Sequence, residues 1–258
     1  MPMAPWVQHI RRGIARFRAA GLNLLLPPRC AACDADLAGG DRGLHLCAAC
    51  LAVLGPRSWP CCRRCGAAAA AESDPPERCG LCQITPLKFD AAIPLGGYQN
   101  ELRGVVLRMK RPAHDSLSAA MGRLLAALRE EQFAQLNLDL VVPVPMYWMR
   151  LARRGTNSPE ILSQCLGQHL GVPVRRVLSR RRNTLPQADL SPRDRFRNVR
   201  GAFCVRKGRR LGGRRILLVD DILTTGATCS EAARVLKEAG AELVAAAVIA
   251  RAQGPNTT

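Results

Sequence analysis

Four Cys-x-x-Cys pairs crowd into the first third of this 258-residue chain, at Cys30/Cys33, Cys47/Cys50, Cys62/Cys65 and Cys79/Cys82. No other feature restricts the fold so tightly. Two residues between thiols put both on one tight turn, where they reach a common ion at tetrahedral geometry, and a second such turn closes the site. In both halves 13 residues separate one pair from the next. Cys30, Cys33, Cys47 and Cys50 therefore form one expected site, and Cys62, Cys65, Cys79 and Cys82 the other. Each reads as a zinc ribbon. Four sulfur ligands leave no open coordination position, so both zinc ions are expected to be structural. A disulfide framework is the competing reading, but the arginine-rich start of the chain does not read as a secretory signal. Cys61 is an alternative ligand to Cys62, which alone preserves the spacing; Cys165, Cys204 and Cys229 stand isolated.

The organisation around these pairs is read from apolar periodicity. Trp6, Ile10, Ile14 and Phe17 recur at helical spacing within residues 1–29 and are stopped by Pro27-Pro28, which reads as an N-terminal amphipathic helix. Residues 30–83 hold the double zinc ribbon and an alanine-rich insert, AAAAAESDPPE. From residue 88 to 258 strands alternate with helices. Strands are expected at Ala91–Tyr98, Asp139–Pro145, RRILLVD and AELVAAAVIA. Helices are expected through LRGVVLRMK, LSAAMGRLLAALREEQFAQL, the stretch after Asn157, and SEAARVLKEAG. Continuously apolar strands in such an alternation imply a parallel sheet covered on both faces. Between residues 175 and 215 the chain carries 15 Lys/Arg against Asp189 and Asp194 and reads as a basic loop.

The formal charge is +18, which favours anionic partners. Arginine supplies 34 of the 38 basic residues, a bias that genome base composition also produces, and aromatic residues at 4% argue against an extended base-stacking platform. No apolar run approaches the 18 or more residues of a membrane span, and a cytoplasmic location is expected.

Near the C-terminus the chain reads ILLVDDILTTGAT. The apolar run ends on Asp220 and Asp221, where a parallel sheet places ligands, at the carboxyl edge of its strands. The loop through Thr224, Thr225, Gly226, Ala227 and Thr228 then enters a helix near Ser230. Successive amides, threonine hydroxyls and a helix N-terminus suit an anion. No lysine matches the GxxxxGK[ST] nucleotide loop. Acids beside an anion site conflict unless the ligand has two ends, and a ribose 5-phosphate does: hydroxyls for the carboxylates, phosphate for the loop.

VDDILTTGAT resembles the phosphoribosyl-pyrophosphate-binding motif of type I phosphoribosyltransferases. With the cysteine pairs beginning at LLPPRCAAC, and with LRGVVLRMK, VVPVPMYWMRLARRGTN and TLPQADLSPRDRFRNVRGAF, the resemblance extends to the ComF family over nearly the whole chain. It implies an α/β type I phosphoribosyltransferase fold, a parallel sheet flanked by helices, preceded by a small double zinc-ribbon module. It also implies that phosphoribosyl pyrophosphate binds with magnesium. Asp220 and Asp221 would hold the ribose hydroxyls, Thr224 to Thr228 the 5-phosphate, and Arg153 and Arg154 the diphosphate. Thr184–Phe203, with Gln187, Arg195 and Asn198, resembles the family's loop over the active site. Three roles follow from the resemblance: phosphoribosyl transfer; an accessory in natural competence that engages single-stranded DNA or a helicase; and a silent phosphoribosyl-pyrophosphate sensor. The chain departs from the family's RGFNQ at Arg154-Gly155-Thr156-Asn157-Ser158, where the aromatic residue and the glutamine are missing.

Overall fold

The computed structural model describes residues 28–37, 43–55, 59–69, 79–85, 87–185 and 190–252. The N-terminal helix expected up to residue 29 lies outside the described residues but for its last two positions. Residues 70–78 of the alanine-rich insert, and Gln187, also lie outside them. The chain divides into two compact units, residues 1–51 and 52–258.

Each unit contains the same small scaffold around a cysteine pair. In the first copy, the Cys30 amide donates to the Ala35 carbonyl (2.8 Å), Asp34 to Cys30 (2.8 Å) and Leu37 to Pro28 (2.8 Å). The second copy repeats this with Cys62 to Ala67 (2.8 Å), Gly66 to Cys62 (2.8 Å) and Ala69 to Pro60 (2.9 Å). One residue past each pair the backbone turns left-handed, at Asp34 (φ 65°) and Gly66 (φ 68°), which closes the turn. The partner pairs lead into short helices, α1 (Ala48–Leu54) after Cys47 and α2 (Gly80–Ile84) after Cys79. The doubling therefore extends past the cysteines to the hydrogen bonds around them.

The larger unit is built on strands β1 (Ala91–Gly97), β2 (Leu140–Pro143), β3 (Leu178–Arg180), β4 (Phe203–Val205), β5 (Arg215–Leu223) and β6 (Leu243–Arg251). Four of them form an all-parallel sheet in the order β1-β6-β5-β2, and β3 pairs with β4 as an antiparallel ribbon. Side chains alternate between faces along a strand. On one face Ile216, Leu218, Val244, Ala246 and Val248 share a core with Ala232, Ala233 and Leu236 of helix α9 (Ala227–Glu238), and with Cys62 and Cys65. The other face, with Leu217 and Val219 fully buried, is covered by α4 (Asp115–Leu128) and α7 (Ser158–Leu170), which pack on each other. Gly122 makes that approach close: a Cβ there would stand 2.9 Å from the Cys165 Cβ and 3.3 Å from the Leu162 Cα.

Four elements differ from the sequence expectation. The long helix breaks at Arg129 into α4 and α5 (Glu130–Ala134), because the buried Arg129 side chain turns to β1 and donates to the carbonyls of Pro94 (3.2 Å) and Leu95 (2.7 Å). The loop expected after β2 contains helix α6 (Trp148–Arg154), ended by left-handed Gly155. The basic segment is not all loop: it holds β3, β4 and helix α8 (Pro192–Val199), started by a Ser191 cap with Pro192 at its first turn. Finally, β5 runs on through Asp220 and Asp221 to Leu223 instead of stopping at the acids.

Candidate functional site

The eight cysteines form two groups, Cys30/Cys33/Cys47/Cys50 and Cys62/Cys65/Cys79/Cys82, with the Sγ atoms of each group within 4.8 Å of one another. A tetrahedral site with Zn–S bonds of about 2.3 Å separates its sulfurs by about 3.8 Å. The Cys33–Cys47 and Cys62–Cys82 separations are both 3.7 Å, Cys65–Cys79 is 3.5 Å and Cys79–Cys82 is 4.0 Å. The donor sets therefore fit two closed Cys₄ zinc sites. Cys61 takes no part; it forms a bridge with Ala68 one step outside the knuckle. Burial works against the Cys30 thiolate, but the amides of Cys47, Cys33 and Ala32 bring that thiol down to about 6. The Cys47 amide lies 3.3 Å from the Cys30 sulfur.

At the carboxyl edge of the sheet, strand periodicity sends the two adjacent acids to opposite faces. Asp220 meets α9, where the Cys229 thiol donates to its Oδ2 at 3.8 Å. Asp221 pairs across 3.5 Å with Lys110, the residue that ends helix α3 (Asn100–Met109). The Asp221 amide donates to Asp220 Oδ1 at 2.9 Å. Burial first, and the Asp221 carboxylate second, push Asp220 up to about 7; the Asp221 amide, Lys110 and Arg180 act in the opposite direction. Burial, with Asp220 adding to it, also raises the Cys229 thiol well above its ordinary range, which makes it a proton donor to the acid and not a thiolate nucleophile.

The raised acid has a consequence for stability. Between about pH 4, where an unfolded aspartate loses its proton, and about pH 7, the folded protein still holds that proton. Folded Asp220 thus binds more protons than unfolded Asp220 across this window, so stability falls as the pH rises through it and levels off above it. Asp220→Asn removes the cost of the buried charge. It is expected to raise stability at pH 8 by about 2 kcal/mol, or ~6 °C in a domain of this size, and to change little at pH 4.5. Thermal melts at the two pH values check this; equal shifts at both would contradict the desolvation of Asp220.

Past Leu223 the loop Thr224–Gly226 turns directly into α9. Gly226 sits at φ 82° as its N-cap, and an added Cβ there would come within 2.8 Å of the Leu87 Cδ2, so only glycine fits without displacement. Thr225 Oγ1 accepts from the Ala227 amide at 3.4 Å. Thr224 and Thr225 thus lie directly before the N-terminus of this 12-residue helix and Thr228 in its first turn, a few residues past Asp220.

Cations approach this edge from two further elements. Arg180, at the end of β3, lies 5.3 Å over the Phe203 ring and donates to Thr184 Oγ1 at 2.5 Å, while its buried Nε has no hydrogen-bond partner among the described residues. Burial, and then Arg150, push the Arg180 guanidinium down, and the Asp220 charge supports it. Arg150 on α6 donates to the Thr184 carbonyl. Arg153 and Arg154 fall on the last turn of the same helix. Arg195 and Asn198 are turned into the segment itself, with Arg195 donating to the Leu190 carbonyl (3.0 Å) and Asn198 bracketing the Leu185 backbone (3.1 and 3.0 Å). Lys110, Arg150 and Arg180 escaped the sequence reading. In a chain with 34 arginines no residue-type signal separates those that reach the acids from those that do not.

The Double zinc ribbon domain family matches residues 21–84, and the Phosphoribosyl transferase domain family matches residues 114–256. Competence protein F of Haemophilus influenzae is 31% identical over 229 residues, 87% of this chain and 97% of that one. DNA utilization protein YhgH of Salmonella typhimurium is 33% identical over 225 residues, 86% of this chain and 96% of that one. Among solved structures, the glutamine phosphoribosylpyrophosphate amidotransferase of B. subtilis aligns at TM-score 0.36 and 24% identity. That match covers 52% of this chain and 26% of the other, too loose to bear on a ligand. With two fitted Cys₄ groups, a parallel sheet ending in paired acids, and relatives matched nearly end to end, this chain belongs to the ComF family, a double zinc ribbon joined to a phosphoribosyltransferase domain.

Proposed function

We propose that this protein binds 5-phosphoribosyl 1-diphosphate together with magnesium at the carboxyl edge of β5, and that it does so in the cytoplasm in the handling of incoming DNA. The observation that carries the reading is the succession of Asp220 and Asp221 at the end of β5 and the Thr224–Thr228 turn at the N-terminus of α9. The turn takes the 5-phosphate, and the two acids take the ribose hydroxyls from either side of the strand. Arg150, Arg153, Arg154 and Arg180 supply positive charge for the diphosphate. Magnesium arriving with the ligand would supply further positive charge to the diphosphate. In a transfer reaction the residues' part is to position the anomeric carbon and to stabilise the departing diphosphate. The DNA side of the reading rests on the names of the two relatives, a competence protein and a DNA utilization protein. Cysteines gathered into two metal-holding groups suit a reducing compartment.

Where the family's RGFNQ is replaced, the side chains point inward: Thr156 Oγ1 donates to Asp115 Oδ1 (2.5 Å) and Ser158 Oγ to the Met109 carbonyl (2.7 Å). An acceptor therefore has to be oriented by other groups. Calorimetry with phosphoribosyl pyrophosphate and magnesium tests it: one ligand per chain is expected, and no heat at millimolar ligand overturns it. Diphosphate release over a panel of bases then separates an enzyme from a silent sensor.

Exposed Arg175, Arg176, Arg181, Arg182, Arg197 and Arg200 support a second reading, an accessory that holds single-stranded DNA. Its affinity should drop steeply between about 50 and about 200 mM salt. No detectable binding at low salt removes this reading.

A further inference from the structure

The second cysteine group is wired to the phosphate loop through one buried arginine. Arg251, the last residue of β6, is 2% exposed and among the largest fully buried side chains. Its Nε donates to the Cys65 carbonyl at 2.8 Å. Its Nη1 donates to the Leu223 carbonyl at 3.0 Å and also to the carbonyls of Thr224 and Ala252. One guanidinium thus joins the turn that carries two metal ligands to the first residues of the loop. Among the described residues no carboxylate pairs with it, and its partners are backbone carbonyls. A second link runs beside it. Arg64, between Cys62 and Cys65, donates to the Leu87 carbonyl at 2.9 Å, and the Leu87 side chain fills the space against Gly226 of the loop.

We infer that Arg251 is a positioning residue which couples metal occupancy of Cys62, Cys65, Cys79 and Cys82 to phosphate binding at Thr224–Thr228. The inference rests on the reading of that loop as the phosphate site. A filled cluster holds the Cys65 carbonyl in place, so the guanidinium keeps the Leu223 and Thr224 carbonyls turned inward and the following amides turned toward the ligand. Loss of the metal frees the Cys65 turn and with it that hold on the loop. Coupling of this kind is reciprocal, so ligand in the loop must tighten the metal by the same factor as metal tightens the ligand.

That reciprocity gives the test. Zinc release to a chelator is followed in the full, zinc-loaded chain with and without ribose 5-phosphate, and the two release phases are assigned with Cys33→Ser, which empties the first group. Saturating ribose 5-phosphate is expected to slow release from the second group at least about fivefold and to leave the first group unchanged. In Arg251→Lys, which keeps the charge but not the fork, the ratio of rates with and without ligand should fall below twofold. A residue that only held the fold together would change both rates and leave their ratio alone. Ribose 5-phosphate that binds by calorimetry yet alters neither release phase overturns the coupling and leaves the proposed function standing. Failure of ribose 5-phosphate to bind at all overturns the inference, whereas the proposed function is overturned only if phosphoribosyl pyrophosphate with magnesium also fails to bind. The wild-type comparison needs no variant, so a misfolded Arg251→Lys protein does not shield the inference.

Discussion

Replacing Asp220 and Asp221 together with alanine is expected to abolish binding of phosphoribosyl pyrophosphate with magnesium, a loss of at least about 100-fold. Each carboxylate is a charged partner for a hydroxyl or for the ion's water shell, and such hydrogen bonds are worth about 1.5–3 kcal/mol apiece, so two removed together amount to two or more factors of ten. Fold and affinity should part company in this variant. Asp220 is held near neutrality by burial and by Asp221, so the free protein carries an unfavourable charge at pH 8 that the variant no longer has. Lys110 loses its partner, but it keeps more than a quarter of its side chain in water and can be solvated there. A protein that melts at or above the wild-type temperature and no longer binds is the expected result. Calorimetry beside a thermal melt reads both, and unchanged affinity would remove the acids from the site.

The second large effect separates the two metal groups. Cys62 and Cys65 are both 0% exposed and belong to the core that contains Phe89, Val248 and Leu236, whereas Cys33 is exposed. Cys65→Ser therefore costs a ligand, the metal and the packing around both. The main unfolding transition is expected to drop by about 4 kcal/mol, or ~8–16 °C for a domain of this size. Cys33→Ser should lose one zinc with little movement of that transition. Metal analysis with calorimetric melting checks the pair. Equal drops in both variants would contradict the assignment of the second group to the core of the larger unit.

These effects also show what a reader of the sequence meets and misses. The cysteine pairs announce themselves because metal geometry fixes their spacing, and β5 and β6 announce themselves because a strand buried on both faces is apolar at every step. Asp220, Asp221 and the Thr224–Thr228 turn are conspicuous for the opposite reason: polar groups placed where such a strand emerges. Arg251 carries no comparable signal. Its importance comes from burial and from four carbonyls contributed by Cys65, Leu223, Thr224 and Ala252, three of them far away in or just beyond other elements. The β3–β4 ribbon was hidden because its strands are three residues long and set among arginines, so their alternation is too short to register. Arg129 broke a helix whose local pattern favoured continuing, a case of tertiary hydrogen bonding overriding periodicity.

The twin knuckles have unequal freedom to change. At the left-handed position of the first, Asp34 is exposed, so residues that accept positive φ can be exchanged there. At the matching position of the second, a Cβ on Gly66 would crowd the Pro94 ring at 3.2 Å. A duplicated ornament has thus become, in one copy, part of the load path of a domain, while the other copy stays available for new surface chemistry. Labels, tags or altered loops belong on the first knuckle, and the second is best treated as core.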